Sequence, residues 1–171
     1  MAVRHRLIKV SPRAVWAVLA DGSRYAEWVV GTSASEPVRG RWPEVDSAIE
    51  YEIRVGPLRL SNETVVRYCE EEAELGLEAR AGVLGTARIS IRLRPWGRYC
   101  LVIADEHPLQ GVGGALHSVG MEALIQLRHR AMLARLARLC ETLTETATEV
   151  EEPPSLHGRR RAAAHGTGGH A

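Results

Sequence analysis

From Ser47 to His107 apolar and polar residues alternate, the period of half-buried strands. Ile49, Tyr51, Ile53 and Val55 point one way, and Glu50, Glu52 and Arg54 the other. After a Gly56-Pro57 turn, Leu58, Leu60, Asn62, Thr64, Val66 and Tyr68 alternate with Arg59, Ser61, Glu63, Val65 and Arg67. An acidic run, Glu70 to Glu72, ends that strand. Leu75, Leu77, Ala79 and Ala81 then alternate with Glu74, Glu78 and Arg80. Beyond a turn at Gly82 to Gly85, Ala87, Ile89, Ile91 and Leu93 alternate with Arg88, Ser90, Arg92 and Arg94. Pro95 to Gly97 turns the chain again, and Tyr99 to Glu106 is the last strand. Short turns between successive strands predict an antiparallel meander with one apolar and one wet face. A three-residue loop at Gly82 to Leu84 sets Glu78 opposite Arg88 and Glu74 opposite Arg92, pairs that favour this register. A slip by one residue would turn the apolar face to water. Both faces of the last strand are apolar from Cys100 to Ala104, so alternation does not orient Asp105 or Glu106.

The flanks follow other periods. Ala2 to Val10 reads as a strand carrying Val3, Leu7 and Val10. Ser11-Pro12 is a favourable N-cap and first-turn pair. It opens a helix, Pro12 to Ala20, with Val15, Trp16 and Leu19 on one face. Asp21-Gly22-Ser23 stops it, and a second short helix runs to Trp28. Residues 33–40 read as an edge strand because Pro37 cannot donate to a ladder. From Ala115 to Ala147 the apolar positions Met121, Leu124, Ile125, Met132, Leu136, Leu139 and Leu143 recur at helical steps. His117, Arg128 and Arg135 project onto the same broad face. Only the strands offer such a helix a wide apolar partner. The expected fold is therefore α+β: a curved antiparallel sheet wrapped around a long C-terminal helix, with two short helices after the first strand. Residues 1–147 form one domain in this reading. Glu149 to Pro154, Arg159 to Arg161 and the Gly/Ala/His end make 148–171 a disordered tail.

Composition narrows the function classes. The 171 residues carry a net charge of +1, which gives no reason to expect a polyanion, and no nucleic-acid partner is expected. The Arg159 to Arg161 cluster would bind one only weakly. Lys9 is the sole lysine, and the heavy use of Arg, Ala and Gly fits a GC-rich genome. Cys69, Cys100 and Cys140 are far apart and show no C-x-x-C spacing, which speaks against a disulfide framework or a zinc site and fits a reducing cytoplasm. No apolar run has the length of a membrane span and no signal-type core follows Met1 to Val10, so integral membrane association is not expected. The seven histidines show no paired metal spacing; His5, His157, His165 and His170 fall outside any predicted pocket. No metal and no cofactor is expected, since G-x-S-x-G, P-loop and dinucleotide fingerprints are all missing. Gly111-Val112-Gly113-Gly114 is a flexible loop on the way into the long helix.

Chemistry is sought where the sheet faces the helix. The chain has no Phe, and Ala79, Ala81, Gly85 and Ala87 stand where bulky groups would close the space, so a cavity is expected there. Asn62 and Thr64 share the inward parity, and a buried amide or hydroxyl needs a partner, a water or a ligand. Tyr51 and Tyr68, on the same face, either pack in the core or offer a hydroxyl to a ligand oxygen. Leu124 supplies apolar wall. Trp28 and Trp42 either gate the mouth or anchor the core. Arg128 is the sharpest candidate: amid apolar neighbours it either anchors a carboxylate or phenolate and polarises a carbonyl, or snorkels to the helix edge. His117 is a candidate proton carrier, or merely a helix cap.

Val10-Ser11-Pro12 with Val15, Trp16 and Leu19, then Tyr25 to Trp28, Trp42-Pro43, Gly56-Pro57-Leu58, Glu63-Thr64-Val65-Val66 and Glu106-His107-Pro108 together resemble bacterial polyketide cyclase/dehydrase-like members of the START-like (SRPBCC) superfamily. The resemblance covers about residues 1 to 147. It implies a helix-grip fold with an internal cavity for a polyketide-like, aromatic or lipid ligand. In resembling aromatase/cyclases, polar cavity residues steer a poly-β-keto chain and assist aldol closure and dehydration. By that analogy Arg128 would orient an oxygen, Tyr51, Asn62 and Thr64 would hold others, and His117 would move a proton. A lipid or isoprenoid carrier without chemistry, and a protein-interaction module, are the competing readings; the oligomeric state is not legible.

Overall fold

The computed structural model describes residues 2–55, 58–80, 86–110 and 119–151. Ala2–Ile8 (β1) leads into helix α1 (Pro12–Leu19), a 3-10 turn at Gly22–Arg24 and helix α2 (Tyr25–Trp28). Six strands follow: β2 (Thr32–Arg39), β3 (Ala48–Val55), β4 (Leu58–Glu70), β5 (Glu74–Arg80), β6 (Thr86–Trp96) and β7 (Tyr99–Gln110). Helix α3 (Val119–Glu151) closes the described chain. At about 1.5 Å per residue its 33 residues span about 50 Å.

Every strand pairing is antiparallel, in the order β1-β7-β6-β5-β4-β3-β2. The meander is as expected. So is the edge position of β2, where Pro37 costs no internal ladder bond. Glu78 lies opposite Arg88 and Glu74 opposite Arg92, the expected register. The ion pairs differ, however: Glu78 binds Arg67 (3.0 Å) and Arg80 (2.8 Å), and Glu74 accepts from the Ser90 hydroxyl (2.7 Å).

The chain enters α1 through the Ser11 cap, whose Oγ accepts the Ala14 amide at 3.3 Å. One face of α1, Val15, Trp16, Val18 and Leu19, is buried against the sheet and α3. The Trp42 indole donates to the Leu19 carbonyl at 2.9 Å and satisfies one of the open acceptors at the helix end. The core lies between the concave sheet face, with Ile49, Leu75, Leu77 and Ile91, and α3, with Met132 and Leu136. Burying each such side chain contributes about 1.5–3 kcal/mol.

Three expectations are corrected. Tyr68 does not face the core: the register of β4 against β5 shifts between Val66 and Tyr68, and that bulge reverses the alternation. Tyr68 is 48% exposed and donates to Glu70, while Cys69 packs against the core. Arg135 is exposed, because the buried stripe of α3 runs through His129, Met132, Leu133, Leu136, Ala137 and Cys140 and leaves Arg135 on the far side. Val3 and Leu7 of β1 are also exposed, and Ile8 is the residue buried. His117 and the side chain of Leu124 lie outside the described residues, as do Gly82 to Gly85 and the tail from residue 152.

Candidate functional site

Between α2, the concave face of β3, β5 and β6, and α3 lies a small cavity. Tyr25, Trp28, Tyr51, Ala79, Ile89 and Arg128 contribute to its wall. Its enclosed volume is about 10 Å³, room for roughly one water, and counted out to the solvent at its mouth the cleft reaches about 290 Å³. The sheet and helix thus leave space, at a place where Ala79 stands instead of a larger side chain, but the described walls leave far less than a drug-sized pocket.

The polar side of the wall begins with Tyr25. The short helix α2 turns its ring inward, and its hydroxyl shares a 3.0 Å hydrogen bond with Thr64 Oγ1 on β4. Tyr51 on β3 packs its ring 5.5 Å from that of Tyr25, with its hydroxyl near Thr64. Trp28 meets Tyr25 edge to face at 5.2 Å. Burial pushes the Tyr25 phenol above its ordinary value, with Tyr51 adding to the rise and the Thr64 bond and Arg128 opposing it. Burial raises Tyr51 likewise, against the same two opposing influences. Both phenols therefore stay protonated near neutral pH and can donate. Asn62 is buried on the inward face of β4, but it is not part of the cavity wall.

Arg128 reaches the cavity from α3, and its Nε is buried without a hydrogen-bond partner. Next to it His129, 1% exposed, pairs through Nε2 with the Glu106 carboxylate of β7, while its Nδ1 has no partner. Glu106 lies across the ladder from Ile89, a wall residue, so the pair stands at the border of the cavity. Burial alone would raise the Glu106 carboxyl. The hydrogen bond from His129 and the charges of Arg128 and His129 outweigh it and hold the group below its ordinary value. Among the described residues no group of His, Cys, Asp and Glu is arranged to hold a metal.

Of the candidates read from the sequence, Arg128, Tyr51 and Trp28 meet at the cavity, with Thr64 just behind as the partner of the Tyr25 hydroxyl. Trp42 packs edge to face on Tyr25 at 6.0 Å instead of gating a mouth. Tyr25, Glu106 and His129 were missed as site residues. The signal for His129 was present, since it stands three and four residues before Met132 and Leu133, in phase with the buried stripe.

A curved sheet gripping one long helix, with tyrosines and a guanidinium turned into the gap, defines the class of helix-grip proteins that enclose a site between sheet and helix. The family profile "Polyketide cyclase / dehydrase and lipid transport" matches residues 2–141, and the chain belongs to that family. Solved structures agree on the fold. The Zhui aromatase/cyclase from Streptomyces sp. R1128 matches with TM-score 0.66 and 14% identity over 85% of this chain and 96% of that one. Ara h 8.0201 matches with TM-score 0.68 and 10% identity, over 82% and 97%. Protein CV1439 from Chromobacterium violaceum matches with TM-score 0.61 and 17% identity, over 81% and 95%. A search of curated proteins gave no match.

Proposed function

We propose that the chain binds an apolar, oxygen-bearing small molecule of polyketide-like, aromatic or lipid character between sheet and helix, and that Arg128 holds one of its oxygens. The observation that carries this reading is the guanidinium at the cavity with a buried Nε that has no partner. A buried donor left unmatched is costly, and a ligand oxygen would satisfy it. The family and the fold shared with the Zhui aromatase/cyclase support, as chemistry, cofactor-free cyclisation or dehydration of a polyketide. Arg128 would polarise a carbonyl, and the protonated Tyr51, with Tyr25 beside it on Thr64, would hold a second oxygen and donate to it. Asn62, His117 and Leu124 remain proposals, the first as support behind the wall and the others for the approach to it. The proposed setting is the cytoplasm.

A carrier without chemistry is favoured by one observation: the described cavity wall contains no carboxylate or imidazole to move a proton. Mass spectrometry of small molecules extracted from the natively purified protein, followed by incubation with poly-β-keto substrates, separates the two readings. New product, with turnover falling about tenfold or more in Arg128→Ala, supports catalysis. Retention of ligand without conversion supports the carrier, and turnover or affinity unchanged in Arg128→Ala refutes the role of Arg128.

A further inference from the structure

Among the described residues, the buried polar atoms of the cavity wall that have no partner are of one sign. Among the described wall residues, two polar atoms are buried and unpartnered: Arg128 Nε and Trp28 Nε1. Both are N–H donors, and neither a guanidinium nor an indole nitrogen can accept. Trp28 is 1% exposed, so its N–H has no route to bulk water. The Tyr25 hydroxyl shares its hydrogen bond with Thr64. The enclosed space of about 10 Å³ suits one small polar atom or group and not a ring.

We infer that the part of the cavity lined by Trp28 and Arg128 is an acceptor-oxygen subsite. It takes the carboxylate, ketone or enolate oxygen of a ligand whose apolar body lies toward the cleft mouth. The inference rests on the proposed cavity-ligand function and narrows its ligand class. A carbonyl or carboxylate oxygen is an acceptor for such N–H groups. A hydrocarbon leaves both unsatisfied, and an ammonium adds a like charge beside Arg128 and brings no acceptor to either N–H. Isoprenoid hydrocarbons and amines are therefore excluded as preferred ligands.

The test uses four probes of one shape: 2-naphthoate, 2-acetylnaphthalene, 2-isopropylnaphthalene and 2-naphthylmethylammonium. Dissociation constants are measured by equilibrium dialysis on the full chain. Naphthoate and the ketone are expected to bind about tenfold or more tightly than the hydrocarbon, the energy of one or two satisfied donors, and the ammonium most weakly. In Arg128→Met and Trp28→Phe, each checked for fold by circular dichroism, the ratio of ketone to hydrocarbon affinity should fall toward one. Arg128→Met decides alone if Trp28→Phe does not fold. Equal binding of hydrocarbon and ketone, or a ratio untouched by Arg128→Met, overturns the subsite and leaves cavity binding standing. Failure of all four probes to bind overturns both.

Discussion

Glu106 and His129 sit 23 residues apart and meet in the interior, where a carboxylate without its partner is expensive. Glu106→Ala or His129→Leu should each lower unfolding free energy by about 3 kcal/mol in urea titrations, whereas Glu106→Leu with His129→Leu should recover much of the loss. The carboxyl titrates in the folded chain below its ordinary 4.5. Between the two values the unfolded chain holds more protons. The contribution of Glu106 is therefore complete above about pH 4.5 and is lost as pH falls through the folded value. Acid unfolding followed by circular dichroism should show a shallower pH dependence in Glu106→Gln than in the parent. Why the pair escaped sequence reading is plain from the residues. Cys100, Leu101, Val102, Ile103 and Ala104 are apolar on both faces of β7 and gave no parity for Glu106. His129 stands between Arg128 and Arg130, where a histidine reads as one more surface charge. Arg128 was legible because a lone cation amid Leu124, Ile125 and Met132 breaks the pattern.

At the scale of elements, alternation located all five strands of the meander, and the Ser11-Pro12 signal opened α1 where expected. Ser11→Ala should cost about 1 kcal/mol, read as a lower urea midpoint, through loss of the bond to the Ala14 amide. What alternation could not reveal is the extra residue in β4. A bulge leaves no mark in the apolar and polar order near Val66 and Tyr68, yet it turns every position beyond it to the other face. Gly76 accommodates the distortion: a Cβ built there would lie 2.9 Å from the Cβ of Tyr68. Gly76→Ala should destabilise by about 1–3 kcal/mol with an unchanged urea slope, and Tyr68→Gly in the same chain should relieve part of it. The rotated stripe of α3 has a related cause. Counting apolar residues alone weights Leu139 and Leu143, both only partly buried, and overlooks Ala137 and Cys140, which are buried in the core.

Across the whole molecule, β1 and β2 are the two edges of one sheet, and β3 to β7 lie inside it. Amide hydrogen exchange should therefore be slowest in β5, β6 and the buried half of α3, and fastest in β2, whose ladder shifts register twice. A ligand held between sheet and α3 should slow exchange in both together. At about a hundredfold excess over its dissociation constant it would add about 2.7 kcal/mol of stability. A collapsed cavity serving only as a protein-binding module would show neither effect.

β1 is made well before its partner: among the described residues it pairs only with β7, Ile8 finding Cys100 and Ala2 finding Glu106. β1 must wait unpaired until about a hundred further residues have been made. Any affinity tag fused ahead of Ala2 would emerge beside Glu106 and its imidazole partner, so purification handles for ligand work belong at the other terminus.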